Sequence, residues 1–117
     1  MTLTSQRTQK VLIPNLHVAA TTWARMQGLI GRSSLPINEA LLIPRCNSVH
    51  TFFMRFAIDL VFVDAQMVVR KVVPNVKPRR VLLPVWQAKH VIEFSAGFLE
   101  INPIQIGERL HVDPSLS

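Results

Sequence analysis

The sequence predicts one β-rich α+β domain, and three observations support this fold class. The chain has 117 residues, of which 49% are hydrophobic and 17% charged; this is enough for a single core and too apolar for a disordered chain. From Glu39 onward, short segments rich in Val, Ile, Leu and Phe alternate with prolines, as strands and their connections do. The best helical pattern is one short segment that precedes them, so helices should be few.

The N-terminal part of the chain is predicted to contain an arm followed by this helix. Residues 1–20 read as an arm that could include a first strand, and residues 21–117 as the single domain. Within "TTWARMQGLIGR", Trp23, Met26 and Ile30 recur at helical spacing, and a glycine follows as a C-terminal stop. The segment should therefore be a short amphipathic helix.

Six later segments are predicted to be strands: "EALLIP", "VHTFFMRF", "IDLVFV", "MVVRKVV", "HVIEFS" and "RLHVD". The "DAQ" between the third and fourth is a plausible hairpin connection. The segment "PNVKPRRVLLP" is predicted to be an edge strand or a surface loop, because each proline removes a donor from a strand ladder. "SAGFLE" is predicted to begin a second short helix, capped by Ser95.

The charge of the chain is uneven. The net charge is +6, and between Asp64 and Glu93 there is no acidic residue but six basic ones: Arg70, Lys71, Lys77, Arg79, Arg80 and Lys89. Such a segment could meet nucleic acid or an acidic membrane surface, but a solvated basic loop is the favoured interpretation. Nucleic acid is disfavoured as a partner, because single-strand binders interleave aromatic and basic residues and only Trp86 is available here.

Other features of the sequence argue against an internal disulfide, a cofactor and a membrane-spanning helix. The single cysteine, Cys46, cannot form an internal disulfide. The histidines and acidic residues show no spacing typical of a metal site, so neither a metal nor another cofactor is predicted. The polar N-terminus is a poor signal peptide, and no apolar run reaches the roughly 18 residues of a membrane-spanning helix. The chain is predicted to be cytoplasmic, as a monomer or homodimer.

The central tract from Pro44 to Asp64 holds most of the chemically interesting residues. If "CNSVH" is extended, Cys46 and His50 lie roughly 13 Å apart, too far for a nucleophile and its base. Asp59 falls within the apolar "IDLVFV", where a carboxylate is costly unless paired, and Arg55 is its nearest partner in sequence. Asp59 is therefore predicted either to brace two strands or to form the floor of a pocket.

Four motifs in this order, "GLIGRSSL", "HTFFMRFAIDLVFVD", "VIEFSAG" and "GERL", resemble the domain of unknown function 192 family, also called uncharacterised protein family 0127. The resemblance extends from about Thr22 to Leu110. Ala57 departs from the family pattern, since many relatives have proline there. The pattern carries over onto Arg25, Gly28, Leu29, Arg32, His50, Phe53, Met54, Ile58, Asp59, Phe62, Glu93, Gly97 and Gly107.

The resemblance implies a compact, mostly antiparallel, β-barrel-like α+β domain with one or two short helices, and it implies no particular activity. Because the shared residues include several polar ones, we expect a non-enzymatic binding module for a small polar or anionic ligand or a peptide. The candidate ligand-binding residues are Arg25, Arg32, His50, Thr51, Arg55, Asp59 and Glu93.

Two alternatives remain open from the sequence. One is a hydrolase or transferase in which His50 is the general base and Asp59 or Glu93 orients it, a role that suits histidine because its pKa lies near neutrality. The other is an assembly or scaffold protein that works through an edge strand and the basic loop. The sequence alone assigns no catalytic residue.

Overall fold

The structure is a computed structural model, and it describes residues 1–19, 34–51 and 54–114. The predicted helix "TTWARMQGLIGR", with Arg25 and Arg32, lies outside the described residues. The described residues form ten strands and one helix: β1 (Thr2–Ser5), β2 (Val11–Ile13), β3 (Asn15–Val18), β4 (Glu39–Ile43), β5 (Val49–His50), β6 (Ile58–Val63), β7 (Val69–Val76), β8 (Val81–Leu82), β9 (His90–Ser95), α1 (Phe98–Ile101) and β10 (Leu110–Asp113).

The described strands form three open sheets. The largest has the order β3-β4-β9-β6-β7; β3 runs parallel to β4, and every other neighbouring pair is antiparallel. A three-stranded sheet has the order β10-β1-β2, and a two-stranded sheet pairs β5 with β8. The β-rich class is thus confirmed, but the expected barrel-like closure is wrong for the described strands, because the large sheet keeps β3 and β7 as edges.

The central strand β6 shows why the large sheet is covered on both faces. All six of its residues are buried, and because side chains alternate along a strand, they divide between two core clusters. Val61 and Val63 belong to the first cluster, whereas Leu60 and Phe62 belong to the second. Each such buried side chain stabilises the fold by about 2 kcal/mol.

Different elements cover the two faces. The first cluster includes Leu3 and Ile13 from the three-stranded sheet and Phe98 from α1. Phe98 stacks on Phe94 of β9, with ring centroids 4.6 Å apart. The second cluster includes Val49 of β5, so the two-stranded sheet lies on the opposite side of the large sheet.

Several local predictions are confirmed. β6 and β9 coincide with "IDLVFV" and "HVIEFS", and β6 and β7 form the predicted hairpin. The Asp64 carboxylate fixes this turn: its Oδ1 accepts hydrogen bonds from the backbone N–H groups of Gln66 (2.9 Å) and Val68 (3.0 Å). Arg70 donates to Oδ2 of the same carboxylate at 2.7 Å.

Two local predictions are wrong. The strand predicted for "VHTFFMRF" contains only Val49 and His50 among its described residues, and the chain bends at Arg55. The second helix begins at Phe98 and its N-cap is Gly97, with φ of +91° and no side-chain cap of its own. Ser95 cannot cap it, because Ser95 is the last residue of β9.

The fold is compact, with a radius of gyration of 12.8 Å. Within residues 1–19, 34–51 and 54–114, there is no helix long and apolar enough to cross a bilayer.

Candidate functional site

Asp59 is a predicted site residue whose two carboxylate oxygens are both engaged. Its residue exposure is 1%, and each carboxylate oxygen accepts a backbone hydrogen bond. Oδ1 accepts from the N–H of Asn75 at 2.8 Å, and Oδ2 accepts from the N–H of Leu99 at 2.9 Å. Asn75 has a φ of +52°, so Asp59 joins a strained position of β7 to the first turn of α1. A carboxylate that accepts two N–H groups in this way acts as a brace between elements.

The pairing that the sequence predicted for Asp59 does not form. Arg55 is exposed, and no ion pair joins these two described residues. The backbone N–H groups supply the partners that a buried carboxylate needs. Asp59 also lines a small recess of about 350 Å³ with Gly97 and Glu100.

Glu93 lies on the other face of the large sheet from Asp59. Asp59 is opposite Phe94 in the antiparallel register of β6 and β9, and Leu60 is opposite Glu93. Paired residues share a face and sequential residues alternate. Asp59 therefore faces the first cluster, whereas Glu93, which is fully buried, faces the second. The structure does not bring these two carboxylates into one pocket.

Thr51 anchors the turn that carries Lys77, Arg79 and Arg80, which we call the basic turn. Its hydroxyl donates a hydrogen bond to the carbonyl of Lys77 at 2.7 Å and accepts one from the N–H of Arg80 at 2.9 Å. Its own N–H donates to the carbonyl of Arg80 at 2.8 Å. These hydrogen bonds give Thr51 a structural role within the fold. The neighbouring His50 is half-buried in β5, on the same side of the large sheet as Glu93.

The structure also reveals a cleft that the sequence reasoning missed. It is open, measures about 620 Å³, and is formed by the end of β4, the β6–β7 turn, the start of β9 and β10. Four of its lining residues carry basic or titratable nitrogen: Arg45, His90, Arg109 and His111. We call this the basic cleft. No carboxylate is present among its lining residues within the described part of the chain.

Three of these residues take part in hydrogen bonds. The backbone N–H of Arg45 donates to Nδ1 of His90 at 3.1 Å, and Arg45 has a φ of +53°. The Nε–H of Arg109 donates to the carbonyl of Gln66 at 3.0 Å. Since Nδ1 of His90 accepts a hydrogen bond, the neutral ring carries its hydrogen on Nε2.

Nearby positive charges act on the titratable groups of the cleft. Burial lowers the pKa of His90 below its ordinary value of 6.5, and repulsion by Lys89 and Arg45 lowers it further, while Asp64 acts in the opposite direction. Asp64 is the nearby carboxylate, but Arg70 already pairs with it. Burial raises the pKa of Asp64, but the N–H of Val68, the Arg70 side chain and the N–H of Gln66 together outweigh burial and leave that pKa below 3.8. The carboxylate therefore stays charged and engaged near neutral pH.

Sequence patterns could not have assembled this cleft. Arg45 and His90 are 45 positions apart, and the hydrogen bond between them depends on the pairing of β4 with β9. The one available signal was that His90 and His111 each fall at or near the start of a predicted strand. That signal does not say which strand ends meet.

The fold and motifs agree with the comparisons. The sequence profile of the domain of unknown function 192, described as "Uncharacterized ACR", matches residues 2–112. The chain belongs to this family. A UPF0127 protein of Thermococcus sibiricus is 30% identical over 107 residues, which are 86% of this chain and 68% of that protein. A UPF0127 protein of Pyrococcus furiosus is 36% identical over 63 residues, which are 54% of this chain and 53% of that protein.

Solved structures share the fold of this chain. A crystal structure of a protein of unknown function from Novosphingobium aromaticivorans has a TM-score of 0.76 at 20% identity, and the match covers 95% of this chain and 82% of that one. A structure from Sinorhizobium meliloti, described as a candidate transcription regulator, has a TM-score of 0.77 at 17% identity over 94% of this chain and 89% of that one. At these identities the likeness shows the fold alone.

Proposed function

We propose that this DUF192 chain is a binding module for a small anionic ligand, and that the basic cleft is its binding site. The observation that carries the proposal is the composition of the cleft: two guanidinium groups and two imidazole rings line an open space of about 620 Å³. The ligand that we expect carries one or more carboxylate or phosphate groups.

The chemistry of the lining residues supports an anion. A guanidinium group presents several N–H donors in a plane, which matches the oxygen atoms of carboxylate and phosphate. The neutral His90 ring adds an N–H at Nε2, because its Nδ1 already accepts from the Arg45 backbone. The nearby Asp64 carboxylate does not cancel this positive potential, since Arg70 pairs with it at 2.7 Å.

The rigidity of the cleft also supports binding. Arg109 is tied to the β6–β7 turn through Gln66, and the N–H of Leu110 donates to the carbonyl of Met67 in the same turn at 3.0 Å. A site whose side chains are already ordered loses less conformational entropy when it binds. The brace of Asp59 and the anchor of Thr51 lie elsewhere, so the proposal does not use them as ligand contacts.

Two-dimensional amide NMR with inorganic phosphate and, separately, citrate tests the proposal. We expect the amide signals of Arg45, His90 and Arg109 to shift in a saturable way. Arg109→Gln should weaken binding about tenfold, because it removes a charged donor. Lys10→Gln is the matched control: it removes one exposed positive charge outside the cleft and should leave the affinity unchanged.

Two results would contradict the proposal. One is the absence of saturable shifts with either anion. The other is an equal loss of affinity in Arg109→Gln and Lys10→Gln, since that would assign binding to the net charge of the chain and not to the cleft.

A further inference from the structure

The segment from Val81 to Ala88 exposes apolar side chains in a regular pattern. Leu82, Val85 and Ala88 point inward and pack against the second core cluster. Between them, Leu83 is 80% exposed and Trp86 is 94% exposed. Val81, at 61% exposure, extends the same outward surface. We call residues 81–88 the apolar ledge.

The apolar ledge is held at both ends, so its exposure is a property of the fold. At its start, the carbonyl of Arg80 accepts from the N–H of Thr51, and the N–H of Arg80 donates to the Thr51 hydroxyl. At its end, the N–H of Lys89 donates to the carbonyl of Val63 at 2.7 Å, and the carbonyl of Lys89 accepts from Cys46 at 2.8 Å. In the middle, the N–H of Val85 donates to the carbonyl of Asn47 at 2.9 Å. The outward side chains cannot turn inward without breaking these bonds.

Positive charge flanks the apolar ledge on both sides. Lys77, Arg79 and Arg80 precede it and Lys89 follows it, and all four residues are exposed. No acidic residue occurs between Asp64 and Glu93. A protruding tryptophan and leucine, flanked in sequence by exposed basic residues, combine the two attractions of a peripheral membrane surface. These are apolar insertion at the interface and charge attraction to anionic headgroups.

We propose that the apolar ledge docks on the surface of a bilayer that contains anionic lipid. Trp86, Leu83 and Val81 enter the interfacial region, and the flanking bases contact the headgroups. None of residues 81–88 lines the basic cleft, so the proposal does not depend on the identity of the cleft ligand. Single-stranded nucleic acid suits it less well, because base stacking uses aromatic side chains and the apolar ledge offers one.

Vesicle co-sedimentation of the full chain tests the docking. Vesicles of phosphatidylcholine with an equal part of phosphatidylglycerol should sediment the protein, and vesicles of phosphatidylcholine alone should bind much more weakly. Leu83→Ser/Trp86→Ser should reduce the partition coefficient roughly tenfold or more, because both side chains lose their insertion energy. Arg80→Gln should reduce it about fivefold, as expected for one basic contact.

Matched variants on the other side of the large sheet serve as controls. Ile101→Ser/Ile106→Ser also removes two exposed apolar residues, which are 72% and 67% exposed. Lys10→Gln also removes one exposed charge. Both controls should bind as the parent does. The fluorescence difference between the parent and Trp86→Phe should shift to shorter wavelength when anionic vesicles are added, which reports entry of Trp86 into lipid.

Three results would overturn the proposal. The first is equal sedimentation with neutral and anionic vesicles, since the flanking bases would then contribute nothing. The second is equal loss in the apolar ledge variants and their controls. The third is binding of a single-stranded oligonucleotide, abolished by Leu83→Ser/Trp86→Ser, without any binding to vesicles; this would assign the surface to nucleic acid.

Discussion

Asp59 shows how one side chain can serve as a cap at long range. The first N–H groups of a helix have no partner within the helix, and Gly97 at the N-cap of α1 offers no side chain to accept them. The Asp59 carboxylate, 40 positions away in sequence, accepts from Leu99 instead. Its second oxygen holds Asn75 in a left-handed conformation. One residue thus fixes the geometry of two elements that meet at β6.

Asp59→Ala should destabilise the protein by about 3 kcal/mol, because two buried or half-buried N–H groups lose a charged acceptor. Urea unfolding of the parent and the variant measures this difference. Glu100→Ala is the matched control: Glu100 lines the same recess but is exposed, and its removal should cost about 0.5 kcal/mol. Equal losses in both variants would contradict the brace and point to a shared role in the recess.

At the scale of elements, the turn that carries Lys77, Arg79 and Arg80 depends on Thr51. Arg79 has a φ of +65°, and its N–H donates to the carbonyl of Thr51 at 3.1 Å. The turn therefore takes its shape from a residue in a different segment of the chain, and it sets the direction in which β8 and the apolar ledge begin.

Thr51→Val should destabilise the protein by about 2 kcal/mol, because valine keeps the shape of threonine but cannot donate to Lys77 or accept from Arg80. Amide hydrogen exchange should become faster at Arg79 and Arg80 than at the centre of β6, and chemical unfolding gives the energy. Thr4→Val, a half-buried threonine of β1, should change stability by less than about 0.5 kcal/mol. An unchanged exchange rate at Arg80 in Thr51→Val would contradict the anchor.

Particular strands and turns show what the sequence could and could not predict. β6 and β9 are short segments rich in Val, Ile, Leu and Phe, as central strands are, and both were predicted with their observed bounds. The strand predicted through Thr51 was too long, because Thr51 bonds to the basic turn instead of extending β5. Positive φ at Arg45 and Arg79 carries no pattern signal, since arginine rarely adopts it. The basic cleft needed the register of β9 and the placement of β10, which local patterns do not contain.

At the scale of the whole molecule, positive charge is exposed on two surfaces, the basic cleft and the apolar ledge. Acidic side chains in the described residues are mostly tied into the fold: Asp59 braces α1, Asp64 pairs with Arg70, and Glu108 accepts from Ser5 at 2.8 Å and from Arg7 at 3.3 Å. The basic side chains near the cleft and the apolar ledge are left to face solvent. Positive charge is therefore exposed at both of these surfaces.

The positive charges near His90 should affect how the free energy of unfolding depends on pH. Because the pKa of His90 is lowered by burial and by Lys89 and Arg45, the unfolded chain binds a proton there at a higher pH than the folded chain. The stability that neutral His90 provides is therefore fully present above about pH 6.5 and is lost as the pH falls through this value towards the lowered pKa.

Urea unfolding at a series of pH values from about 8 to about 5 measures this slope. In His90→Gln the amide oxygen can still accept from the Arg45 N–H, but nothing titrates, so the part of the slope that begins near pH 6.5 should disappear. Phosphate should reduce the same slope in the parent, because an anion in the basic cleft favours the charged imidazole and raises its pKa. Identical slopes in the parent and His90→Gln would contradict the assignment of this pH dependence to His90. A slope that phosphate leaves unchanged would show that the titration of His90 is independent of anion binding in the cleft.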